Sequence, residues 1–343
     1  MAQIWKGYQH GIDLGGWFSQ CDHTRERYDT FIVREDLKTI ASWGLDHVRL
    51  PVDYELLEDE NGAFLEEGFA RLERAFSWCR ENGLNMVLDL HKARGFSFDD
   101  GEAETGFFDS EAYQEEFYRL WEELARRFAP YGDCVAFELL NEVTDKAYCE
   151  VWNRIADTCI QRIRAIAPDT CILVGGYWNN SIEALEDLAL PQDKGIIYNF
   201  HCYDPIVFTH QGAYWVKGMD PGFRFSLDRP LKDLKAETER LRPIETGEFD
   251  GLDLQAPLSG EYFEKRMAKA ARVAEERGVR LYCGEYGVID LATPEDTVNW
   301  YRAISAAFER YGIGRAAWSY RAMDFGLSDE RLKGVLPSLI PLL

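Results

Sequence analysis

Phe69-Ala-Arg-Leu-Glu-Arg-Ala-Phe-Ser-Trp-Cys-Arg80, then Gly83, then Asn85-Met-Val-Leu-Asp-Leu90 make one complete helix-and-strand unit. Phe69, Leu72, Phe76 and Cys79 recur every three to four residues, the spacing of one apolar helix face. Gly83 falls where such a helix must end, and the run after it has the length and apolarity of a buried strand. The alternation continues in both directions. Apolar runs at Gly11–Leu14, His47–Leu50, Val135–Leu140, Thr170–Val174, Ile196–Phe200, Val279–Cys283 and Ala316–Ser319 bring the strand candidates to eight. Helical patterns fill Glu111–Phe128 and Lys146–Ile166, and Gly195 and Gly278 again stand where helices should stop. Strand, helix, strand in regular order predicts a parallel sheet covered by helices. Eight such units in 343 residues predict an α/β fold, a (β/α)8 TIM barrel forming a single catalytic domain over 1–343. No repeat and no low-complexity linker divides the chain.

One interval breaks the rhythm. The sixth strand ends near Tyr203, yet the seventh begins only near Val279. A loop and one helix leave roughly 40 of those residues over. The surplus, about 204–257, is predicted to be a small inserted subdomain at the C-terminal mouth, a cap or one wall of the cleft. A surface excursion whose aromatics pack only on themselves is the alternative.

The bulk composition narrows the function. Sixty acidic residues against 38 basic ones give a formal charge of −22. That charge is repelled by nucleic acid and by anionic membranes, so neither is an expected partner. The eight cysteines are scattered, without Cys-x-x-Cys pairs or zinc-like spacing, and read as buried reduced thiols. No metal and no cofactor is expected, and a monomer is. Met1–Lys6 carries no apolar signal core and no run of about 18 apolar residues occurs. A cytoplasmic location is therefore expected, or a secreted or cell-associated one if a leader has been trimmed.

A barrel of this kind carries its chemistry at the C-terminal ends of its strands. Read in order, strand two ends in Arg49, strand three in His91 and strand four in Asn141-Glu142. Strand six ends in His201 and Tyr203, strand seven in Glu285 and strand eight in Trp318. Two carboxylates backed by Arg, His, Asn and Tyr, facing an aromatic platform, suit acid–base cleavage of a glycoside. One carboxylic acid protonates a poor alkoxide leaving group, and the other carboxylate attacks the anomeric carbon. The pair must not ionise together, so Arg49 and Tyr203 are expected to keep Glu285 ionised while Glu142 holds the proton.

The motifs also resemble a known family. Gly11-Ile-Asp-Leu-Gly-Gly-Trp17, Val48-Arg-Leu-Pro51, Leu88-Asp-Leu-His91, Phe137-Glu-Leu-Leu-Asn-Glu142, Asn199-Phe-His-Cys-Tyr203, Cys283-Gly-Glu-Tyr-Gly287 and Ala317-Trp-Ser-Tyr320 resemble glycoside hydrolase family 5 of clan A. The likeness runs in order from about residue 8 to residue 326, through every strand but the fifth, and is greatest to single-domain clostridial endoglucanases. It implies a retaining mechanism with Glu142 as acid/base and Glu285 as nucleophile. It also matches Arg49, His91, Asn141, His201, Tyr203 and Trp318 to the family's substrate-binding set. Asn141 would then bond the sugar 2-hydroxyl in the −1 subsite, and Trp318 would form its floor.

Other residues remain open at this point. Lys92-Ala-Arg94-Gly95 departs from the family pattern, which has a proline at Arg94, so the loop to Phe108 should differ in shape. Asp99, Asp100, Glu102 and Glu104 within it read as a solvated loop, and so does the group Glu248, Asp250 and Asp253. His23 and His210 read as structural or exposed. Trp17, Tyr177, Trp178, Phe208 and Trp215 are candidates for stacking on sugars, with core packing an equal alternative. The expected activity is endo-acting cleavage of β-1,4 bonds in soluble β-glucans: carboxymethylcellulose, mixed-linkage glucan, glucomannan. Without a binding module, efficient attack on crystalline cellulose is not expected. A β-mannanase, an exo-β-1,3-glucanase and a non-catalytic glycan-binding barrel are the rival readings.

Overall fold

The computed structural model describes residues 3–99, 101–242 and 247–343. Eight strands close into a parallel barrel in sequential order. They are β1 (His10–Asp13), β2 (His47–Asp53), β3 (Asn85–Lys92), β4 (Val135–Glu138), β5 (Ile172–Val174), β6 (Ile196–His201), β7 (Arg280–Tyr286) and β8 (Gly314–Ala317). Each overlaps a predicted run. Two expectations need correction. β2 does not end near Arg49: Pro51 leaves the pairing intact, and Val52 and Asp53 still pair with β3, so Arg49 lies mid-strand below the rim. Gly195 ends no long helix either, because only the 3-10 helix Ile182–Asp187 lies between the short turn after β5 and β6.

Helices Glu66–Glu81, Glu111–Phe128, Cys149–Arg164, Gly260–Arg277 and Pro294–Tyr311 surround the barrel. Their apolar faces and the outward faces of the strands form one continuous core. Three helix tryptophans do more than fill space. Trp121 Nε1 donates to the Leu139 carbonyl at 3.0 Å, Trp152 Nε1 to Gly175 at 2.8 Å and Trp300 Nε1 to Asp204 at 3.0 Å. Each ties a helix to backbone just past a strand end, where the functional loops begin. At the other face of the barrel, Trp5 and Tyr8 stack at 3.9 Å on the end of the interior core.

Helix Glu66–Glu81 packs its first turn tightly. A Cβ on Gly68 would fall 1.8 Å from the Leu56 carbonyl oxygen, which is backbone and cannot swing aside. Gly68→Ala is expected to destabilise the barrel by about 2–3 kcal/mol, the cost of overpacking, read from the guanidinium midpoint.

The long stretch between β6 and β7 holds helices Ile206–Thr209 and Leu231–Leu241 before Gly260–Arg277 begins. Pro230 bridges Pro257, which brings the ends of its helical part together. Phe208, Phe225 and Phe249 are buried in the main core, so these aromatics do not pack only on themselves. Tyr214 and Trp215 are instead exposed, at 82% and 43%. Residues 243–246 of this stretch lie outside the described residues.

Candidate active site

Side chains two apart on a strand share a face, so the barrel interior is built in layers. Val87, Ala136, Leu173, Ile197, Tyr282 and Ala316 form an apolar layer. Two residues further along the strands the interior turns polar with Asp13, Arg49, Asp89, Glu138 and Asn199, all fully buried. Arg49 organises this layer. Its Nη1 donates to Asp13 Oδ1 at 3.1 Å and to Glu285 Oε1 at 2.8 Å. Nε and Nη2 grip the two oxygens of Glu138 at 2.7 and 2.8 Å. Nη2 also reaches Asn141 Oδ1 at 2.9 Å and Asp89 Oδ2 at 3.0 Å. Four carboxylates thus share one guanidinium, and their charges do not balance. Burial pushes Asp13 well up and Glu138 up, despite the opposing pull of Arg49. Asp13 Oδ2 has no hydrogen-bond partner and is free to carry a proton.

Glu285 goes the other way. Burial would raise it, but His201, Arg49 and His91 beside it, and the Tyr203 hydroxyl donating to Oε2 at 2.8 Å, hold it at about 2. Glu142 stands opposite, on the loop that leaves β4. Its φ of 35° is a left-handed conformation that an ordinary residue pays for, of order 1–3 kcal/mol, and such strain concentrates at functional sites. Glu142 Oε1 lies 2.7 Å from His201 Nδ1, and Oε2 accepts from Asn179 Nδ2 at 2.9 Å. His201 Nδ1 is also 3.6 Å from Glu285 Oε2. One oxygen of Glu142, one nitrogen of His201 and one oxygen of Glu285 all lie within 4.8 Å of one another. Burial lowers the His201 pKa, but Glu285 and the bond to Glu142 outweigh it and raise the ring above its ordinary value.

The remaining walls are aromatic. Trp318 follows β8 and lies parallel to the His91 ring, centroids 5.7 Å apart and planes 6° apart. His91 Nδ1 donates to Asp89 Oδ2 at 2.6 Å, and its Nε2 is 3.5 Å from Asn141 Nδ2. Tyr203 packs edge-on against His210 at 4.9 Å. The structure therefore gathers Arg49, His91, Asn141, Glu142, His201, Tyr203, Glu285 and Trp318 around one mouth.

The family model described as Cellulase (glycosyl hydrolase family 5) matches residues 8–324. The chain belongs to that family. It is thus a glycoside hydrolase. Cellodextrinase A of Ruminococcus flavefaciens is 46% identical over 90% of this chain and 84% of its own length. Endoglucanase C of Acetivibrio thermocellus is 35% identical, covering 98% of each chain. The crystal structure of the clostridial cellulose synthase subunit Z from Clostridioides difficile is similar in fold, with a TM-score of 0.76 at 24% identity over 97% of this chain and 99% of that one.

Within this family-5 barrel, the residues that the sequence left open take definite places. Trp17, Tyr177 and Phe208 are buried, leaving Trp178 and Trp215 as the partly exposed members of the stacking candidates. His210 is buried beside Tyr203, and burial, with Arg242 nearby, pushes it down to about 3, so the ring is neutral. His23 is half-buried; the Asp53 carboxylate, with help from Cys21, pushes it up to about 10. Glu104 is not simply solvated, since it accepts from the Tyr54 hydroxyl and the Gly95 N–H, both at 2.7 Å. Glu102 pairs with Lys92 at 2.6 Å, whereas Asp100 lies outside the described residues. Glu248 is buried rather than solvated, accepts from the Tyr262 hydroxyl at 2.7 Å and is pushed up to about 7 by burial and Asp204. Arg94 stacks over Tyr54 at 4.6 Å and pairs with Glu116 at 2.8 Å, tying its loop to the outer helix. Two groups among the described residues offer metal-ligand atoms within 4.8 Å: Glu142, His201 and Glu285, and His23, Asp53 and Glu55. In the second, the Lys92 ammonium already supplies a cation, 2.5 Å from Glu55.

Proposed function

We propose that this chain is a retaining, endo-acting hydrolase of β-1,4 linkages in soluble β-glucans. The observation that carries the reading is the short separation of Glu142 and Glu285. A pair with oxygens within 4.8 Å suits direct attack, which needs carboxyls about 5–5.5 Å apart, rather than the wider gap that admits a water between them. Glu285, held ionised, attacks the anomeric carbon while Glu142 gives its proton to the departing glycosidic oxygen. Esterification removes the charge on Glu285. Glu142, now a carboxylate, takes a proton from water as that water displaces Glu285 with a second inversion. Asn141, oriented by Arg49, is placed to bond the 2-hydroxyl of the sugar, and Trp318 to lie beneath its ring.

The names of the relatives support a glucan substrate. The 46% identical relative is named a cellodextrinase, and that name supports adding short cello-oligosaccharides to the proposed substrates. All eight cysteines are free, which supports a reducing compartment as the working location. The test is a proton NMR time course on cellotetraose, coupled to reducing-end release from barley glucan, carboxymethylcellulose, mannan and laminarin. The β-anomer is expected first, with the two β-1,4 glucans cleaved. An initial α-anomer overturns the retaining mechanism; release from mannan or laminarin alone overturns the substrate.

A further inference from the structure

Trp178, Asn179 and Asn180, just past β5, have φ of 51°, 57° and 55°, a left-handed turn of three residues in succession. Non-glycine residues seldom adopt even one such conformation, and asparagine tolerates it best. The turn is bound to the acid/base loop. Asn179 N donates to the Val143 carbonyl at 3.0 Å, and Asn179 Nδ2 to Glu142 Oε2 at 2.9 Å. Asn180 is fully buried, with Nδ2 3.3 Å from His201 Nε2. Its Oδ1 has no hydrogen-bond partner. Gly175 makes room for it: a Cβ there would sit 2.2 Å from Asn180 Oδ1.

We propose that this turn is a positioning element for the acid/base, Asn179 gripping Glu142 directly and Asn180 serving His201 in both of its proton states. The inference rests on the acid/base role given to Glu142 above. When His201 donates from Nδ1 to the Glu142 carboxylate and carries no proton on Nε2, Nε2 accepts from the Asn180 amide. When Nε2 is protonated, a half-turn of the amide brings the otherwise orphaned Oδ1 to accept from it. A side chain with a donor and an acceptor on one pivot meets both demands. Glu142 changes between acid and base in each turnover, and His201 is its hydrogen-bond partner throughout.

The experiment compares aryl β-cellobiosides whose leaving groups are dinitrophenol and phenol, with Asn179→Gly, Asn180→Gly and Gly175→Ala. Glycine keeps the left-handed backbone, and Gly175→Ala displaces Asn180 without altering the turn's sequence. The phenyl substrate needs the proton and the dinitrophenyl one does not. The kcat/KM for phenyl cellobioside is expected to fall roughly 10–100-fold, a part of the full acid–base effect, while that for dinitrophenyl cellobioside stays within about threefold. The dinitrophenyl kcat should also fall and recover with azide, which needs no base to attack the glycosyl-enzyme. Equal losses on both leaving groups, or no loss on either, overturn the positioning role. Glu142→Ala is the reference. If it lacks the leaving-group dependence, the acid/base assignment itself fails; if it shows the dependence and the turn variants do not, only this proposal fails.

Discussion

Glu285→Ala is expected to lower turnover of soluble β-glucan by on the order of 10⁴–10⁶-fold, since residues acting as one catalytic unit lose nearly everything together. Stability should fall with it. Glu285 is one of four carboxylates crowding Arg49, and its charge helps to push Asp13 up. Deleting it relieves that repulsion but also removes the pairing with His201, Arg49 and Tyr203 that holds Glu285 at about 2, so the melting temperature should fall at neutral pH, and the fall should shrink as pH drops toward 2. Added azide should enter the vacated space and give a glycosyl azide of inverted, α configuration. With Glu142→Ala the azide meets the covalent intermediate instead and gives the β-azide. Anomeric proton couplings distinguish the two. Turnover that survives in Glu285→Ala, or a β-azide from it, removes Glu285 as the nucleophile. The acid side of the pH profile follows from the same geometry. Glu285 stays ionised down to about pH 2, so its protonation does not limit activity at mildly acidic pH. Because its pKa is lowered in the fold, its own stabilising contribution is full above the ordinary glutamate range and is lost as pH falls toward 2.

The barrel was legible because eight apolar runs each carry strand length and each is followed by a turn or helix signal. The site's upper ring was legible for a related reason: His91, Asn141, Glu142, His201, Tyr203 and Trp318 stand at or just beyond strand ends, where a barrel must place function. Of the layer beneath, only Arg49 was read. Asp89 and Asn199 stand two residues before His91 and His201, hence on the same inward face, and that alternation could have flagged them. Within apolar runs they pass for strand-breaking accidents unless the interior is known to be polar. Asn179 and Asn180 gave no signal of period, since their positions depend on a left-handed turn and on Gly175 at the end of β5. Glu248 was misplaced for a similar reason: only the docking of the β6–β7 segment on helix Gly260–Arg277 buries it against Tyr262.

Arg49→Ala should have the largest effect on the fold itself. The side chain is wholly buried, and removing it leaves Asp13, Asp89, Glu138 and Glu285 facing one another without their shared cation. Loss of one partner from a buried ionic group costs about 3–5 kcal/mol, most of it the penalty of the stranded charge. Arg49→Lys keeps the charge but has no planar fork to hold Glu138 by two bonds while reaching Glu285 and Asn141, so it should recover only part of the loss. The pH dependence separates this account from simple cavity formation. Asp13 and Glu138 already have raised pKa values, and without Arg49 they rise further. A carboxyl raised in the fold favours the folded state at low pH and loses that advantage as pH climbs through its folded pKa. The stability deficit of Arg49→Ala should therefore be smaller at pH 5 than at pH 8, measured by guanidinium unfolding. A cavity alone gives the same deficit at both. Activity should respond with the same sign. Glu285 loses a neighbour that holds its pKa down, so the acidic limb of kcat/KM should move upward in pH. If that limb stays in place while stability falls, Arg49 is a structural clamp and the low pKa of Glu285 rests on His201, His91 and Tyr203.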